Sequence, residues 1–462
     1  MKKTVAIAGA GGYIGRWFIH YFKDKYRIVA LSRREVIQNP YPKVEWRKVE
    51  LFSITSTTEA LQGVDFAIYL IHSMSGSTRL NQGSFEDTDL LLADNFARAA
   101  AANGIKQVLY LGGILPKEVN ENDISVHLKS RLEVEKALAS KGTPLTALRA
   151  GIIVGPGGSS FKMIYNLVRK LPALMCPQWT LSETQAISLK DTLTIMDDCL
   201  GKSEVFGKAI EIGSPEILSY KEMLEKTAKV MKKKRWIFSV PFFSVGLSKL
   251  WVSYFGETPS KLVSPLVESL KHTLTVSEAL AYRQKEIKYL SYEESVKEAL
   301  DPINQMPQLP KFRNEKEVKN TVRSIQRFPN TRHQSALWVA NRYKLWLPTF
   351  FRFFINAKEN NRGDLGFYLL GSSKPMLQLT WIPDRSDIKR QLFYITGGWL
   401  VKRFDYGWLE FREVLGGKYM ISAIHEFVPR LPWMIYVNTQ AKIHLWVMNK
   451  FKKYLEKYRF EV

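Results

Sequence analysis

A glycine-rich turn between an apolar run and an amphipathic segment constrains this chain more than any other feature. TVAIA, near the N-terminus, is typical of a buried strand, and Gly9, Gly12 and Gly15 follow it with the spacing GxxGxxG. From Ile14 onward, large apolar residues recur at helical spacing, which predicts a helix with one buried face. Glycines let the backbone approach a diphosphate, and the first turn of a helix presents N–H groups to it. The strand, loop and helix together therefore indicate dinucleotide binding rather than a mere tight turn.

The second strand indicates which dinucleotide is bound. YRIVAL ends at Ser32, Arg33 and Arg34, where an NAD-binding protein usually carries an acidic residue for the ribose hydroxyls. A guanidinium group can instead pair with a 2′-phosphate through two hydrogen bonds. The sequence therefore predicts NADP(H) in preference to NAD(H). The alternative is a pair of solvated surface arginines.

Strand-like and helix-like segments continue to alternate through the first third of the chain. VEWRKVEL, DFAIYLIHSM, KQVLYLGGI and TPLTALRAGIIVGP are strand-like, and NFARAAAANG is helical with a glycine stop. This alternation predicts an α/β doubly wound parallel sheet of the Rossmann type over residues 1–150, to which residues 186–215 return. Ligands of such sheets bind at the carboxyl ends of the strands. The residues expected there are His72, Gly112, Gly113 and Gly151.

The formal net charge of +23 favours anionic partners such as nucleic acid, acidic lipid or phosphorylated ligands. No nucleic-acid recognition motif accompanies this charge, so specific nucleic-acid binding is not expected. The two cysteines, Cys176 and Cys199, belong to no CxxC or Cys/His cluster, which argues against a disulfide scaffold or a zinc site. No metal is assigned to the histidines without ligand-like spacing (His333, His425 and His444). The N-terminal apolar run is too short for a secretory signal and leads into the glycine loop, so we expect a cytoplasmic protein.

Several segments, taken in order, resemble the atypical extended branch of the short-chain dehydrogenase/reductase superfamily, with its NmrA-like and epimerase-like members. They are AGAGGYIG, VLYLGGI, LRAGIIVGPG, SLKDTLTIMDDCL and GKAIEIGSPEILSYKEMLEKTA. The resemblance covers residues 1–300 and implies a Rossmann domain followed by a small α/β substrate lobe over 151–300. It also implies the cofactor-binding residues: Gly9, Gly12, Tyr13, Ile14 and Gly15 at the pyrophosphate, Ser32, Arg33 and Arg34 at the adenosine phosphate, and Leu70, Ile71 and His72 near the ribose. Glu50, Leu51, Gly112, Arg131 and Gly151 complete the candidate set.

The chain departs from this superfamily where the chemistry is expected. Members usually carry a serine and a YxxxK pair, in which the tyrosine is the acid/base and the lysine holds the nicotinamide ribose. Here the matching places hold Gly112–Gly113, His127 and Arg131, within HLKSR. Arg131 can still hold ribose hydroxyls, and His127 can exchange a proton near neutral pH. The alternatives are that His127 only packs or caps a helix and that Arg131 pairs with Glu135 one turn on.

The pattern changes after a segment rich in proline and charge, LDPINQMPQLPKFRNEKEVKN, from which we predict a linker over residues 301–317. VRSIQRF, LGFYLL, MLQLTWIP, RQLFYITGGW and FDYGWLEFREVLGGKYMISAIHEF are strand-like, and NTQAKIHLWVMNKFKKYLEKY is a terminal helix. This arrangement, over residues 318–462, resembles the α+β helix-grip (START-like) fold, which implies an apolar pocket between sheet and helix. Six aromatic residues could line that pocket or fill it as core: Trp338, Tyr343, Trp346, Phe350, Phe353 and Trp381.

A basic and aromatic stretch precedes the linker. KVMKKKRW is followed by RWIFSVPFFSVGLSKLWVSYF, in which Pro241, Gly246 and Lys249 make a membrane-spanning helix improbable. Peripheral contact with an anionic membrane stays open, through Trp236, Phe242, Phe243 and Trp251. The alternative is that these aromatics belong to the core of the lobe or line the substrate cleft.

The favoured function is an NADP(H)-dependent oxidoreductase that acts on a bulky apolar carbonyl, enone or quinone. It would use an H-x-x-x-R site in which Arg131 holds the ribose and His127 relays a proton. Two alternatives remain: a catalytically silent NADP(H)-binding sensor or regulator, because the usual serine, tyrosine and lysine are absent, and a peripheral lipid-binding protein.

Overall fold

The computed structural model describes residues 2–73, 80–117, 119–120, 123–240, 267–284, 287–313, 321–351, 354–361, 363–403 and 407–458. The chain divides into two compact units. The first comprises residues 1–75 and 92–314, and the second comprises residues 76–91 and 315–462. Strands and helices are numbered below in chain order.

Within the described residues, the first unit is built on a seven-stranded sheet in which every pairing is parallel. Its strands are β1 (Thr4–Ala8), β2 (Arg27–Ser32), β4 (Val44–Lys48), β5 (Phe66–Tyr69), β7 (Gln107–Gly113), β8 (Leu145–Ala150) and β13 (Ala209–Ile212). Their spatial order is β13-β8-β7-β5-β1-β2-β4. The order reverses direction at β1, which is the switch point where doubly wound sheets bind ligands. The Rossmann-type α/β fold predicted from the sequence is therefore confirmed.

Most of the helices connect these strands along the chain, and the last two follow β13. They are α1 (Tyr13–Phe22), α2 (Ile54–Ala60), α3 (Phe85–Ala102), α4 (Val126–Ala139), α5 (Ser159–Lys170), α6 (Leu189–Cys199), α7 (Tyr220–Val230) and α8 (Tyr292–Leu300). The predicted amphipathic helix after the glycine loop is α1, which buries Trp17, Phe18 and Ile19. Full burial of each such side chain contributes about 1.5–3 kcal/mol. The Trp17 indole donates a hydrogen bond to the Pro156 carbonyl (3.1 Å), which joins α1 to the loop before α5.

Short strand pairs complete the first unit. β3 (Val36–Gln38) pairs antiparallel with β16 (Lys311–Phe312), and β11 (Glu183–Thr184) pairs antiparallel with β14 (Leu218–Ser219). Two further pairs are parallel: β9 (Ile153–Val154) with β12 (Ile187–Ser188), and β10 (Ala173–Pro177) with β15 (Trp236–Val240). β16 falls inside the segment that we predicted as a linker. That segment is therefore partly held to the first unit by backbone hydrogen bonds.

In the described part of the second unit, eight strands form one sheet in the order β18-β19-β20-β21-β22-β23-β17-β6. They are β6 (Leu80–Gln82), β17 (Val322–Pro329), β18 (Ile355–Glu359), β19 (Leu365–Leu369), β20 (Leu377–Trp381), β21 (Arg390–Gly397), β22 (Trp408–Val414) and β23 (Tyr419–Phe427). Three helices accompany them in the described residues: α9 (Ala336–Phe350), α10 (Trp433–Asn438) and α11 (Gln440–Lys457). The strand-like segments and the terminal helix of the sequence analysis are present.

The boundary at residues 76–91 differs from our domain prediction, which placed them in the Rossmann domain. β6 pairs in parallel with β17, so that Leu80, Asn81 and Gln82 lie opposite residues 322–324. The Gln326 amide adds a hydrogen bond to the Gln82 carbonyl (2.6 Å). Backbone pairing over a long sequence separation thus assigns this segment to the second unit, which no local pattern indicates.

The aromatic residues of the second unit contact one another. The ring of Phe451 on α11 lies 5.0 Å from that of Tyr343 and 5.1 Å from that of Trp346, centroid to centroid. Trp346 also stacks on Phe350 at 4.7 Å. These rings fill the space between helix and sheet, which agrees with the core alternative. Phe353 lies outside the described residues.

The basic and aromatic stretch is described only in part. Trp236 lies in β15 with 78% of its surface exposed. Its other named residues, Pro241, Phe242, Phe243, Gly246, Lys249 and Trp251, lie outside the described residues. None of the described helices is long and apolar enough to span a bilayer.

Candidate functional site

A cavity of about 450 Å³ lies at the carboxyl ends of β1, β5, β7 and β8 in the first unit. The glycine loop forms one end of it, through Gly9, Gly12 and Gly15. His127 and Arg131 of α4 line its middle. The other end is formed by α5, α7 and the segment 267–274. One continuous cavity therefore joins the predicted pyrophosphate loop to the predicted catalytic pair.

The glycine loop has the shape that a diphosphate requires. Gly9 has φ +93°, and a Cβ there would lie 2.9 Å from the Leu70 carbonyl oxygen. A Cβ at Gly15 would lie 2.5 Å from the Gly9 carbonyl oxygen. The Gly12 N–H donates to that same oxygen (2.9 Å), which closes the turn before α1. The loop thus brings bare backbone against the N-terminus of α1, and these residues fit a dinucleotide pyrophosphate.

Tyr13, the first residue of α1, packs against Gly155 and Gly158 beside the glycine loop. A Cβ at Gly155 would lie 2.5 Å from its hydroxyl, and one at Gly158 would lie 3.0 Å from its ring. The phenol is buried, which raises its pKa above the usual value. It therefore stays protonated in neutral solution. Its hydroxyl is buried and makes no hydrogen bond with the described residues.

The predicted adenosine end lies beyond the cavity. Arg33 and Arg34 follow β2 and are both exposed. The Arg34 guanidinium lies over the Phe312 ring, 4.5 Å from its centroid. Ser32 accepts a hydrogen bond from the Arg34 N–H (3.2 Å). Ser32 therefore shapes the turn that presents the arginines.

Glu50 and Leu51 follow the neighbouring strand β4. The Glu50 carboxylate accepts a hydrogen bond from the Phe52 N–H (3.2 Å). Leu51 is buried, and its carbonyl accepts from the Asn95 amide (2.9 Å). Both residues thus stabilise the local loop. Neither residue lines the cavity. The same holds for four other predicted cofactor-binding residues: Ser32, Arg33, Arg34 and Ile71.

His72, His127 and Arg131 form a cluster at the centre of the cavity. An Arg131 N–H group lies 3.3 Å from His72 Nδ1. The rings of His72 and His127 stack with centroids 5.6 Å apart. Arg131 is buried, and its backbone carbonyl accepts a hydrogen bond from Tyr110 (3.2 Å). The cluster thus combines a permanent cation with two imidazole rings.

Ser269 extends the cluster and was not found from the sequence. Its hydroxyl lies 2.7 Å from that of Ser125 and 3.5 Å from His127 Nδ1. Ser125 is the N-cap of α4 and accepts a hydrogen bond from the Leu128 N–H (3.3 Å). A lone serine 142 positions away from His127 gives no pattern that sequence reasoning can detect.

At the position that holds serine in the resembled superfamily, a side chain would be crowded here. A Cβ at Gly112 would lie 2.9 Å from the Tyr110 ring, and one at Gly113 would lie 3.2 Å from Leu128. Tyr110 is fully buried. The cluster must therefore act without a hydroxyl from this strand.

Two structural roles were considered for the catalytic pair: helix capping by His127 and pairing of Arg131 with Glu135. Ser125, not His127, caps the N-terminus of α4. Glu135 is bound by Arg149 through two hydrogen bonds of 3.0 and 2.8 Å. The carboxylate one turn after Arg131 is thus held by another arginine.

The far end of the cavity is apolar. Its lining includes Met163, Leu167, Trp179, Leu224 and Leu270. Arg131 is the one permanently charged side chain among the described lining residues. Cys176 also lines this end, but burial raises the pKa of its thiol, so it stays protonated and is a poor nucleophile. An uncharged, largely apolar molecule suits these walls.

Among the described residues, no group of histidine, cysteine and carboxylate side chains has the arrangement of a metal site.

A model of the NmrA-like family matches residues 1–271, more than half of the chain. The chain belongs to the NmrA-like family. A curated relative of this NmrA-like chain is the auxiliary protein GraX of Staphylococcus aureus (strain NCTC 8325 / PS 47), which is 31% identical over 121 residues. That match spans 24% of this chain and 37% of GraX.

Solved structures resemble the NmrA-like chain at low sequence identity. The triphenylmethane reductase of Citrobacter sp., in complex with NADP(H), is 18% identical, covers 64% of this chain and 100% of its own, and gives a TM-score of 0.48. An NADPH-dependent quinone oxidoreductase of Escherichia coli, in complex with NADPH, is 18% identical, with 63% and 98% covered and a TM-score of 0.48. A nucleoside-diphosphate-sugar epimerase of Staphylococcus aureus is 14% identical, with 66% and 97% covered and a TM-score of 0.47.

Proposed function

We propose that this NmrA-like chain is an NADP(H)-dependent oxidoreductase for a bulky, uncharged carbonyl, enone or quinone. The observation that carries the proposal is the single cavity that joins the glycine loop, the His72–His127–Arg131 cluster and an apolar end. Bound NADPH would supply the hydride at nicotinamide C4.

The chain's own residues would bind and orient both reactants. The loop from Gly9 to Gly15 would hold the pyrophosphate through its N–H groups and the dipole of α1. Arg33 would pair with the 2′-phosphate, which favours NADP(H) over NAD(H). Arg131 would hold the nicotinamide ribose with its fixed charge.

His127 would move the proton. Its Nδ1 lies on the side of Ser269, so we assign Nε2 as the atom that donates the proton to the substrate oxygen. Water would be excluded by the apolar walls around Met163, Leu167 and Trp179, which strengthens electrostatic interactions inside the cavity.

Turnover tests this role directly. NADPH oxidation is followed by absorbance across a panel of quinones, enones and lipid carbonyls. His127→Ala is expected to lower kcat by about a hundredfold, the usual contribution of a general acid. His20→Ala, which removes an exposed histidine of α1, is the matched control and should leave kcat unchanged.

The turnover assay, together with titration of NADP⁺ and NADPH, separates the enzyme from a sensor. Coenzyme oxidation that depends on His127 supports the oxidoreductase. NADP⁺ and NADPH that bind with similar affinity, with no oxidation of NADPH by any member of the panel, would instead identify a catalytically silent sensor.

A second proposal concerns the second unit, whose helix-grip likeness also stays a proposal. Between Glu426 and Glu456 the sequence has no acidic residue and five basic ones: Arg430, Lys442, Lys450, Lys452 and Lys453. On α11 of this stretch Ile443 is 54% exposed and Trp446 is 48% exposed. Lys450 Nζ lies 5.9 Å from the Trp446 ring. Exposed apolar side chains can enter the bilayer interface, and the surrounding lysines can pair with anionic lipid headgroups. Because no carboxylate in this stretch opposes that attraction, these residues suit peripheral contact with an anionic bilayer.

Sedimentation with anionic vesicles at low salt tests this contact. Ile443→Ser with Trp446→Ser should reduce the bound fraction severalfold. Ile303→Ser removes an 87% exposed isoleucine elsewhere and should have no effect. Equal sedimentation of the double variant and the wild type would refute the contact.

A further inference from the structure

We propose that residues 306–313 belong to the coenzyme site, where Phe312 holds Arg34 as a stacking platform for the adenine ring. The inference rests on the proposed function, because it assumes that NADP(H) is the ligand. It assigns a positioning role to a segment that follows the substrate lobe and lies far from the glycine loop in sequence.

The segment first runs along the glycine loop. Met306 lies against Gly157, where a Cβ would be 2.5 Å from its sulfur. The Arg16 guanidinium, in the first turns of α1, donates a hydrogen bond to the Pro307 carbonyl. Leu309 lies against Gly11, at 3.6 Å from the position of a Cβ. Residues 306–309 thus pass over the N-terminus of α1, where the pyrophosphate is proposed to bind.

The segment then joins the adenosine end. Lys311 and Phe312 form β16, which pairs antiparallel with β3, the strand that follows the paired arginines. The Arg313 N–H donates to the Glu35 carbonyl (2.8 Å), and its guanidinium pairs with the Glu35 carboxylate at 2.7 Å. These contacts hold the segment beside Arg33 and Arg34.

Phe312 links the segment to Arg34. Its ring packs edge-on against Trp46 of β4, with centroids 6.0 Å apart and planes at 84°. The Arg34 guanidinium lies over the Phe312 ring at 4.5 Å. A planar guanidinium has two faces and can stack on aromatic rings. With one face on Phe312, the other is presented in a fixed orientation.

The two arginines would then have different roles. Arg33 would bind the 2′-phosphate, which is present only in NADP(H). Arg34 would stack on adenine, which both coenzymes contain. Ordering a long side chain before the ligand arrives lowers the entropic cost of binding. Loss of Phe312 should therefore weaken NADPH and NADH by the same factor, whereas loss of Arg33 should weaken NADPH alone.

Titration of NADPH and NADH into the full chain tests this division. Phe312→Leu keeps the packing volume on Trp46 and removes the aromatic face, and Phe312→Ala is the second variant. Both should raise the Kd of each coenzyme by about fivefold, the usual value of an exposed cation–π contact. Phe312→Tyr should restore binding. Trp236→Ala, which removes an exposed aromatic residue elsewhere in the unit, is the control, and thermal melts of every variant verify folding.

Each result decides the question. A common rise in both Kd values, restored by Phe312→Tyr, supports the platform. Unchanged or tighter binding in Phe312→Leu, or weaker binding of NADPH alone, overturns it while the proposed function stands. If the wild-type chain binds neither coenzyme, the proposed function fails, and the platform fails with it.

Discussion

The imidazole rings of His72 and His127 lie 5.6 Å apart, centroid to centroid, with their planes 26° from parallel. Arg131 reaches His72 Nδ1 at 3.3 Å. Because arginine can only donate hydrogen bonds, Nδ1 is the acceptor in this contact. His72 therefore orients Arg131.

This relationship predicts how substitutions at His72 differ. His72→Asn places a carbonyl oxygen where Nδ1 accepts from Arg131, whereas His72→Leu removes the acceptor. We expect His72→Leu to lower kcat/KM for NADPH oxidation by about tenfold and His72→Asn to retain most of it, because a hydrogen bond to a charged group contributes about 1.5–3 kcal/mol. Equal losses in both variants would show that the acceptor does not matter.

The glycine loop offers a matched pair of substitutions. A Cβ at Gly15 would lie 2.5 Å from the Gly9 carbonyl oxygen, whereas one at Gly11 makes an ordinary contact of 3.6 Å with Leu309. Gly15→Ala should therefore raise the Kd of NADPH at least about tenfold, and Gly11→Ala should change it by less than about threefold, because only the first displaces backbone. Calorimetric titration measures both. Tight binding by a folded Gly15→Ala variant would contradict the assigned loop.

The second unit contains a buried charge network that predicts a large change in stability. Glu410 and Arg412 are fully buried and 2.8 Å apart, and Arg390 reaches the same carboxylate at 2.9 Å. Although burial opposes ionisation, the guanidinium groups of Arg412 and Arg390 hold the pKa of Glu410 well below its usual range. Glu410→Gln leaves buried cations uncompensated and should lower the free energy of unfolding by about 3–5 kcal/mol.

Urea unfolding checks this value. Glu413→Gln, on the same strand but half-buried, is the control and should change the free energy of unfolding by less than about 0.5 kcal/mol. Similar urea midpoints for the two variants would mean that the network contributes little.

His444 predicts that stability depends on pH. Burial lowers its pKa to about 4, and an unfolded histidine titrates near about 6.5. Because the pKa is lower in the folded state, the unfolded chain binds a proton first as the pH falls. The stability that comes from burying the neutral His444 ring is therefore fully present above about pH 6.5 and is lost as pH falls toward 4. At pH 5.5 the loss should be about 1.4 kcal/mol.

Melting curves between pH 7.5 and pH 5 test the effect. His444→Gln should flatten the fall in midpoint over this range. His333→Asn replaces a histidine with φ +52° by a residue that tolerates this conformation, and should keep the wild-type slope. Identical slopes in wild type and His444→Gln would exclude His444 as the cause.

Local patterns were sufficient where local physics decides the structure. The central strand β1 is fully buried and appears as an apolar run, so it was located at Thr4–Ala8 from sequence. The terminal helix, predicted within residues 438–458, spans Gln440–Lys457. α9 was not assigned, because Pro348 lies within it and its aromatic residues obscure the helical period.

What the sequence did not reveal depends on contacts between distant residues. The three residues of β6, Leu80, Asn81 and Gln82, extend the sheet of the second unit only because β17 is beside them. Ser269 approaches His127, and Phe312 approaches Arg34, across sequence separations that no motif spans. Glycine spacing and paired arginines indicate a ligand class, but the groups that orient them are set by tertiary packing.

The central claim is that the glycine loop and Arg33 bind the phosphorylated coenzyme. Its most direct test is calorimetric titration of NADPH and NADH into the wild type, Arg33→Glu and Arg27→Gln, the last of which removes an exposed arginine at the opposite end of β2. We predict that wild type and Arg27→Gln prefer NADPH by at least about tenfold and that Arg33→Glu loses this preference while still binding NADH, because a bidentate guanidinium–phosphate pair is replaced by charge repulsion. A folded Arg33→Glu variant that binds NADPH as tightly as the wild type would contradict the claim.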